Sequence, residues 1–483
     1  MIRFELMEHQ KEILSRSSYQ SDLYLAWEPG LGKTCAVIQM LRARFAENDR
    51  IMNTLVLAPL VVLENWKREF ELFSKIPKSS IVVLKGSVKK RISMVQAREG
   101  FPTIFITNYD VMNNKDLLNA LLRHKIEISV LDEAHLIKNP QSTRAKAVVA
   151  IADSAYCKHR YLLSGTPILN NAMDLFMQYR AMDGYLDKFS TFGRNFFWFR
   201  NTYFEDKNAS WSGNQNHFPD WQPRVSTYGV ISDIIAKKMM VVKKKDVLTD
   251  LPDLTVEYRY ALMSTDQKKV YKELKEDFIA YLDELDVSGE PKAVIAQLAI
   301  TKALRLQQVV TGFVKTEDGE EIEIKKNPRL EILKDLLEEI APNSKVIVWA
   351  NFKFNYKQIA SVCKDLGLGY TEGHGGVSAK NKQLNIDKFN NDVGCRVMIG
   401  NQASLGIGVN LVASNYSIYY SRDFKLGSDI QSEARNYRKG SEIHDKITRI
   451  NIVSPGTIDE LVCEALEKKQ KISEEIIKWK KRL

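Results

Sequence analysis

Short apolar runs alternate with amphipathic segments from residue 20 to about residue 170. The runs are rich in β-branched residues, and the segments between them carry apolar positions at helical spacing. This pattern predicts helices over residues 33–47 and 62–73. It predicts strands over residues 23–27, 54–58, 80–84, 103–107, 128–131 and 160–164. Strands that alternate with helices are typical of a doubly wound parallel sheet, so the first unit is predicted to be α/β.

The same alternation returns near the end of the chain and predicts a second α/β unit. Its strands are predicted over residues 345–350, 396–400, 416–420 and 447–453. The segment between the two units differs, because it is first rich in aromatic residues and then helical in pattern from residue 265 to about residue 310. We interpret it as inserted, mainly helical structure.

Aromatic residues cluster at the start of the inserted segment. We interpret this cluster as the core of a small subdomain rather than as a base-stacking platform. Charged residues 317–326 resemble a surface hairpin, and the basic residues 472–483 resemble a solvated helix end. The three lysines at 243–245 have two equally supported interpretations. One is a solvated face, and the other is a brace or a DNA contact. The aromatic residues are Phe192, Phe196, Phe197, Trp198, Phe199, Tyr203, Phe204, Trp211 and Trp221.

The composition describes a large, moderately basic globular chain. It has 483 residues, 44% of them hydrophobic, and 70 Lys+Arg against 60 Asp+Glu, so the formal net charge is 70 − 60 = +10. At roughly 100–200 residues per domain, this length predicts two to four domains. Disordered and fibrous classes are excluded. The positive surplus permits binding to a polyanion but does not demonstrate it.

Membrane and metal-stabilised classes are also disfavoured. The longest apolar runs are about half of the roughly 20 residues that a transmembrane helix needs. The N-terminus carries acids where a signal peptide has a basic flank, so the cytoplasm is the expected location. The five cysteines lie far apart and lack metal-ligand spacing, so neither structural zinc nor a disulfide framework is expected.

The strongest local signal is the sequence WEPGLGKT at residues 27–34, which follows a predicted strand and opens a predicted helix. Glycines let backbone N–H groups turn toward phosphates, and the helix N-terminus adds partial positive charge. Lys33 is placed to reach the β- and γ-phosphates, and the Thr34 hydroxyl to bind Mg²⁺. The sequence therefore predicts a phosphate-binding loop.

A pair of adjacent carboxylates follows the apolar strand near residue 130. The sequence there reads VLDEAH, residues 130–135. In a parallel sheet this strand end lies at the same edge as the phosphate loop. Asp132 is then placed to hold Mg²⁺ through water, and Glu133 to orient and deprotonate the attacking water. The two motifs together predict a nucleotide-hydrolysing site.

These motifs resemble a known family. With HLIKN at residues 135–139 and LSGTP at residues 163–167, they closely resemble the helicase-like superfamily 2 ATPases, and within them the Swi/Snf-type double-stranded DNA translocases. The resemblance covers nearly the whole chain. It implies two tandem RecA-like parallel-sheet lobes with Swi/Snf-type helical insertions. It also implies ATP and Mg²⁺ as ligands and double-stranded or branched DNA as the partner.

The resemblance assigns roles to residues of the first lobe. Gln10 is implied to read adenine. Pro59, in a segment similar to motif Ia, and Thr107 and Asn108, in a segment similar to motif Ib, are implied to contact DNA. The residues implied to couple ATP hydrolysis to DNA are His135, Ser164 and Thr166.

The resemblance also assigns roles in the second lobe. Arg435 and Arg438 lie in a segment similar to motif VI, three residues apart, so on a helix both point the same way. Their planar guanidinium groups suit the charge that develops on the γ-phosphate. Gly375, Gly376 and Ser404 are implied to contact DNA. The implied nucleotide-binding residues of both lobes are Gln10, Gly30, Leu31, Gly32, Lys33, Thr34 and Gly408.

The predicted domains are a first, ATP-binding lobe over residues 1–190, insertions and a lobe connection over 191–325, a second lobe over 326–470 and a basic helical tail over 471–483. Three residues depart from the family pattern. Trp27 replaces an acidic residue, Phe424 stands where a Trp-Asn-Pro element begins, and Ser441 stands where Gln is common. These departures indicate a divergent branch, bacterial or viral, and only a eukaryotic source would imply a nuclear location.

The resemblance predicts a monomeric ATP-dependent translocase that moves on duplex DNA and remodels DNA or protein–DNA complexes. The expected catalytic residues are Lys33, Asp132 and Glu133 from one lobe and Arg435 and Arg438 from the other. Because no accessory module is recognised in the sequence, targeting is expected to come from a protein partner or from DNA structure. Two alternatives stay open, namely a strand-separating DNA or RNA helicase and an ATP-switched binding scaffold.

Overall fold

The computed structural model describes residues 5–184, 191–208, 219–248, 250–288, 292–316, 318–405 and 409–478. The chain divides into two units. The first is built mainly from the segment up to Glu205 and a segment that starts at Trp221, and the second mainly from the segment between Asp250 and Lys468. Each unit is organised around its own sheet.

The first unit has a seven-stranded parallel sheet with strand order β3-β4-β2-β5-β6-β1-β9. Every residue of its strand at Thr54–Ala58 is buried, as expected when helices cover both faces of a parallel sheet. The strands up to β9 are β1 (Asp22–Trp27), β2 (Thr54–Ala58), β3 (Ile81–Val83), β4 (Ile104–Asn108), β5 (Ile128–Asp132), β6 (His159–Leu163), β7 (Phe204–Asp206), β8 (Trp221–Pro223) and β9 (Met239–Val242).

Ten helices accompany these strands within the described ranges of this part of the chain. Side-chain caps fix where some of them start. Asn114, one residue before α5, accepts a hydrogen bond from Leu117 N at its side-chain oxygen Oδ1, at 3.0 Å. The helices are α1 (Glu8–Tyr19), α2 (Lys33–Glu47), α3 (Leu63–Phe73), α4 (Val88–Gln96), α5 (Lys115–Arg123), α6 (Thr143–Ala152), α7 (Leu175–Asp183), α8 (Phe196–Tyr203), α9 (Tyr228–Ala236) and α10 (Lys244–Val247).

The second unit has a six-stranded parallel sheet with strand order β10-β17-β16-β13-β15-β14. Its strands, with those of a separate hairpin, are β10 (Asp253–Tyr260), β11 (Phe313–Lys315), β12 (Glu321–Glu323), β13 (Val346–Trp349), β14 (Gly369–Gly373), β15 (Cys395–Gly400), β16 (Tyr416–Tyr419) and β17 (Lys446–Val453). Its helices are α11 (Thr265–Ser288), α12 (Lys292–Val310), α13 (Pro328–Ile340), α14 (Lys353–Asp365), α15 (Ala379–Asn391), α16 (Gln402–Leu405), α17 (Leu426–Glu433) and α18 (Ile458–Lys478).

The predicted fold class, two parallel-sheet α/β lobes, is confirmed, and each predicted strand lies within two residues of an observed one. The sheets also include three strands that the sequence did not predict, β9, β10 and β14. Strands β9 and β10 come from the segment predicted as insertion, residues 191–325, so each sheet extends into that segment. The long helical pattern from residue 265 forms the separate helices α11 and α12.

The aromatic cluster is mostly a core, as interpreted from the sequence. Phe192, Phe199 and Phe204 are buried, and the ring centroids of Phe192 and Phe199 lie 4.9 Å apart. Two members differ, because the side chains of Phe197 and Trp198 are 55% and 54% exposed. Trp211 lies outside the described residues.

The charged stretch forms a hairpin that starts earlier than predicted. Strands β11 and β12 pair antiparallel, and β12 is exposed along its length. Near the end of the chain, α18 continues to Lys478, and the side chains of residues 472–483 lie outside the described part. Within the described ranges, no helix is both long enough and apolar enough to span a membrane.

A buried ion pair ties two helices of the second unit to its sheet. Asn327 caps α13, and Arg329 in its first turn is 1% exposed. The Arg329 guanidinium pairs with Asp459 of α18. It also donates to the carbonyl oxygens of Tyr420 at 2.5 Å and Ile452 at 3.1 Å. Removal of the guanidinium would therefore leave a buried carboxylate without its cation.

We expect Arg329→Met to lower the free energy of unfolding by about 3–5 kcal/mol, because breaking one side of a buried ion pair leaves the other charge uncompensated. Urea unfolding of the whole chain measures this loss. The matched control is Arg259→Met, which removes an arginine from a pair with Glu257 that is 44% and 32% exposed. That change should cost less than about 1 kcal/mol. Equal losses in the two variants would contradict the prediction.

Candidate functional site

The predicted phosphate loop connects β1, which ends at Trp27, to α2, which begins at Lys33. Gly30 and Gly32 have φ angles of 95° and 72°, a left-handed conformation that residues with a Cβ rarely adopt. The Lys33 ammonium donates to the carbonyl oxygens of Trp27 at 2.8 Å and Glu28 at 3.4 Å. The lysine thus spans the loop, and the N-terminus of α2 points its backbone N–H groups at the same place.

Helix α1 holds this loop through two adjacent side chains. The Gln10 amide donates from Nε2 to the Gly32 carbonyl oxygen at 3.2 Å and accepts from Met7 N at 3.0 Å. The His9 Nε2 atom lies 3.0 Å from the Leu31 carbonyl oxygen. Gln10, carried over as the adenine reader, therefore also braces the loop, a role that sequence reasoning missed.

Trp27 and Glu28 anchor the loop from its other side. Trp27 is fully buried, and the ring of His9 packs edge-on against it with centroids 4.6 Å apart. The Glu28 carboxylate accepts a hydrogen bond from Lys244 N at 2.9 Å, and Lys244 is 5% exposed. Of the two readings left open for the three lysines, the brace is correct for the main chain of Lys244.

A side chain would not fit at Gly32 of the loop or at Gly165 beside it. A Cβ added to Gly32 would overlap the Nε2 atom of Gln10, and one added to Gly165 would lie 2.9 Å from Pro29 Cδ. The backbone N–H groups of the loop, the Lys33 ammonium and the half-buried Thr34 hydroxyl form the donor set that a triphosphate and its metal require. The residues present fit ATP and Mg²⁺.

The two predicted acidic residues lie at the end of β5, between β2 and β6. The Asp132 carboxylate accepts from Trp66 Nε1 at 2.8 Å. The Asp132 carbonyl oxygen accepts from the Tyr109 hydroxyl at 2.7 Å. Burial, reinforced by the charge of Glu133, raises the pKa of Asp132 to about 6, although the Trp66 hydrogen bond and the Lys33 charge oppose the shift. Asp132 is thus held rigidly at the sheet edge.

Glu133 connects to the predicted coupling residues. Its φ of 53° is left-handed, a strained conformation for a residue with a side chain. The Ser164 hydroxyl donates to the Glu133 carboxylate at 3.3 Å, lies 2.9 Å from His135 Nδ1 and accepts from Thr166 N at 3.1 Å. Since the hydroxyl gives its one proton to Glu133, the His135 Nδ1–H is the donor to Ser164. Burial lowers the pKa of His135 to about 4, so its ring is neutral at pH 7.

The predicted DNA contacts of the first unit lie mostly inside it. Thr107 and Asn108 are buried, and both side-chain oxygens accept from Arg91 Nη1 at 2.9 Å. Pro59 is buried and is followed by exposed Leu60. Sequence reasoning missed Arg91, because nothing local in the sequence marks a helical arginine as the partner of a distant strand end.

The structure brings together the two predicted arginines of the second unit, but not on a helix. Helix α17 ends at Glu433, so the helical argument was wrong, and both residues lie in the turns that follow. Arg435 Nη1 donates to the Val409 carbonyl oxygen at 2.9 Å, and Arg438 Nη1 approaches the same oxygen at 3.4 Å. Gly408, the predicted nucleotide contact next to Val409, lies outside the described residues.

The predicted DNA contacts of the second unit converge at the end of β14. Gly375 and Gly376 are exposed, and the Gly376 N–H donates to His374 Nδ1 at 3.2 Å. The Ser404 hydroxyl donates to the Gly373 carbonyl oxygen at 3.3 Å. This glycine turn and Ser404 therefore share one sheet edge, where main-chain atoms are accessible.

The protein-family comparison matches an SNF2-related domain over residues 9–311 and a helicase conserved C-terminal domain over residues 328–440. One curated relative is an uncharacterized ATP-dependent helicase of Mycoplasma genitalium, which is 26% identical over 97% of this chain and 42% of its own length. Another is the CHD3-type chromatin-remodeling factor PICKLE of Arabidopsis thaliana, which is 25% identical over 94% of this chain and 32% of its own length. The chain spans less than half the length of these relatives.

Among solved structures, the chain is similar to the Sulfolobus solfataricus SWI2/SNF2 ATPase core in complex with dsDNA. The identity is 23%, the TM-score is 0.44, and the match covers 99% of this chain and 93% of the other.

We expect Gly32→Ala to weaken ATP binding by more than about tenfold, a loss of about 1.4 kcal/mol, because the new Cβ displaces Gln10 from the loop. Titration with a fluorescent ATP analogue measures the affinity. Gly100→Ala is the matched control, since Gly100 has a similar φ of 81° but open space around a Cβ. It carries the same backbone strain without the overlap, so ATP affinity should stay unchanged. Unaltered affinity in Gly32→Ala would contradict this account of the loop.

Proposed function

The chain belongs to the SNF2-related family, and from this we propose that it hydrolyses ATP to move along duplex DNA and remodel DNA or protein–DNA complexes. The observation that supports this most is the convergence of three motifs in the first unit. The phosphate loop follows β1, the Asp132–Glu133 pair follows β5 and Ser164 follows β6, and these three strands of one parallel sheet end at the same edge.

In this proposal, residues of the first unit have different roles in ATP hydrolysis. ATP with Mg²⁺ supplies the phosphoanhydride bond that is hydrolysed. Lys33 and the loop N–H groups hold the phosphates, while Thr34 and Asp132 hold the metal. Glu133 takes the proton of the attacking water, and the Ser164 hydroxyl fixes the orientation of its carboxylate at 3.3 Å. A neutral His135 keeps Ser164 turned toward Glu133.

The second unit supplies the arginines in this proposal. Arg435 and Arg438 share the Val409 carbonyl oxygen, so their guanidinium groups are held close together. Guanidinium groups stabilise the charge that develops during phosphoryl transfer, an effect typically worth about 10³–10⁵ in rate.

DNA contacts in this proposal go to the phosphate backbone. The side chains of Thr107 and Asn108 are buried and accept from Arg91, so exposed neighbouring residues would have to make the contact. The exposed glycines 375 and 376 likewise allow a phosphate to approach the main chain. Backbone contacts carry little sequence information, so the protein would depend on DNA structure or a protein partner for targeting.

A strand-separating helicase is the second candidate, because curated relatives carry the name ATP-dependent helicase. The two activities differ in whether the track is melted. Displacement of a third strand from triplex DNA, without separation of the duplex, supports the translocase. Displacement of a duplex strand supports the helicase.

We expect Glu133→Gln to bind ATP normally and to lower turnover by about 10²-fold or more, because the amide cannot accept the proton of water. Fluorescent-nucleotide titration and phosphate release measure the two quantities. Glu99→Gln, an exposed glutamate of the same unit, is the control and should behave as the wild type. Near-normal hydrolysis by Glu133→Gln would reject Glu133 as the base. An ATP-switched scaffold would show no wild-type turnover.

We expect duplex DNA to stimulate ATP turnover, and DNA affinity to fall at least about tenfold between 50 and 200 mM salt. Each phosphate that is neutralised releases bound counterions, which makes affinity salt-dependent. Measurements with duplex, forked, four-way and single-stranded DNA would also rank the preferred track. ATP affinity at both salt concentrations is the control. An ATP turnover rate that changes neither on addition of DNA nor with salt concentration would contradict the proposed function.

A further inference from the structure

Two hydrogen bonds connect Asp132 to segments that lie away from the phosphate loop along the sequence. Trp66 Nε1 donates to the Asp132 side chain at 2.8 Å, and the Tyr109 hydroxyl donates to the Asp132 carbonyl oxygen at 2.7 Å. The residues that donate are buried, since Trp66 is 1% exposed and Tyr109 is 2% exposed. The same residue is therefore held at its side chain and at its main chain.

Each donor follows, within a few residues along the chain, a segment proposed to contact DNA. Trp66 belongs to α3, which begins at Leu63, just after Pro59 and the 3₁₀ turn Leu60–Val62. Tyr109 follows Thr107 and Asn108 and opens the 3₁₀ turn Tyr109–Asn113. A displacement of either segment therefore shifts a donor of Asp132.

The Trp66 bond acts on the orientation of the carboxylate. A carboxylate turns readily about its terminal torsion, and a hydrogen bond to one oxygen fixes that rotation. Partners of this kind set the geometry of metal ligands, and their loss typically costs about 10–100-fold in metal affinity or activity. The Tyr109 bond similarly fixes the end of β5, where the main chain turns into the strained Glu133.

We propose that Trp66 and Tyr109 are positioning residues that transmit DNA contact, made at the exposed residues Leu60 and Val61 and at the 3₁₀ turn after Asn108, to Asp132 and thereby to the metal-bound nucleotide. This inference rests on the proposed function, which supplies the DNA and the metal. The competing explanation is that both side chains only satisfy their polar atoms within the core. That explanation predicts a loss of stability without a change in metal or DNA response.

The same unit contains a matched tyrosine for separating these explanations. Tyr179 is fully buried, and its hydroxyl donates to the Ile235 carbonyl oxygen at 3.0 Å. Tyr109→Phe and Tyr179→Phe therefore remove the same kind of bond from the same core. Only the first of the two bonds reaches Asp132.

The experiment compares Trp66→Phe, Tyr109→Phe and Tyr179→Phe in the full chain. Binding of a fluorescent ATP analogue is titrated with Mg²⁺, duplex DNA affinity is measured separately, and turnover is measured with and without DNA. We expect the Mg²⁺ concentration that gives half-maximal binding of the ATP analogue to rise at least about tenfold in Trp66→Phe, within the range typical for the loss of such hydrogen-bond partners. We expect both Trp66→Phe and Tyr109→Phe to lose most DNA stimulation while DNA affinity stays within about twofold. Tyr179→Phe should change none of these.

The midpoint of thermal unfolding, measured for every variant, accounts for general loss of stability. The proposal is overturned if Trp66→Phe and Tyr109→Phe match Tyr179→Phe in both Mg²⁺ requirement and DNA stimulation. A wild-type protein that DNA does not stimulate would contradict the proposed function instead. The Mg²⁺ titration then decides by itself whether Trp66 positions Asp132, since it needs neither DNA nor turnover.

Discussion

Two adjacent, half-buried carboxylates at the end of β5 are the constraint on which the first unit depends. Burial of charge is unfavourable unless partners compensate for it, and burial together with the neighbouring Glu133 charge raises the pKa of Asp132 to about 6. The compensation comes from Trp66 on α3, Ser164 after β6 and Lys33 after β1. Each partner belongs to a different strand–helix connection, so the site forms only when the whole sheet is in register.

The strand order explains how residues far apart in sequence reach one site. Strand β5 lies between β2 and β6, with β1 next to β6, and all run parallel, so the segments after these four strands meet at one edge. The second unit repeats this arrangement. There, the Tyr356 hydroxyl and the Asn401 amide both donate to the Ala350 carbonyl oxygen, at 3.2 and 3.3 Å, just beyond the end of β13.

The features predictable from sequence are those that local chemistry determines. The apolar runs of β2 and β5, the glycines of the phosphate loop and the acidic pair after β5 each signal their structure within a few residues. Strands β9 and β14 lack such a signal, because β9 is short and β14 begins and ends with glycine. The bonds of Arg91, Trp66 and Gln10 were also missed, since each depends on which distant segment the sheet places beside it. The arginines after α17 were placed wrongly because their spacing fits both a helix and a turn.

Helix α1 supports the predicted phosphate loop through two adjacent side chains. Left-handed glycines gain much conformational entropy when a loop is released, so a loop with two of them is intrinsically mobile. His9 and Gln10 contact the carbonyl oxygens of Leu31 and Gly32, and His9 packs on the buried Trp27. A loop fixed in advance by such contacts would lose less entropy on binding phosphates. Aromatic packing behind the loop therefore acts together with the two hydrogen-bonding contacts from α1 to hold its main chain in place.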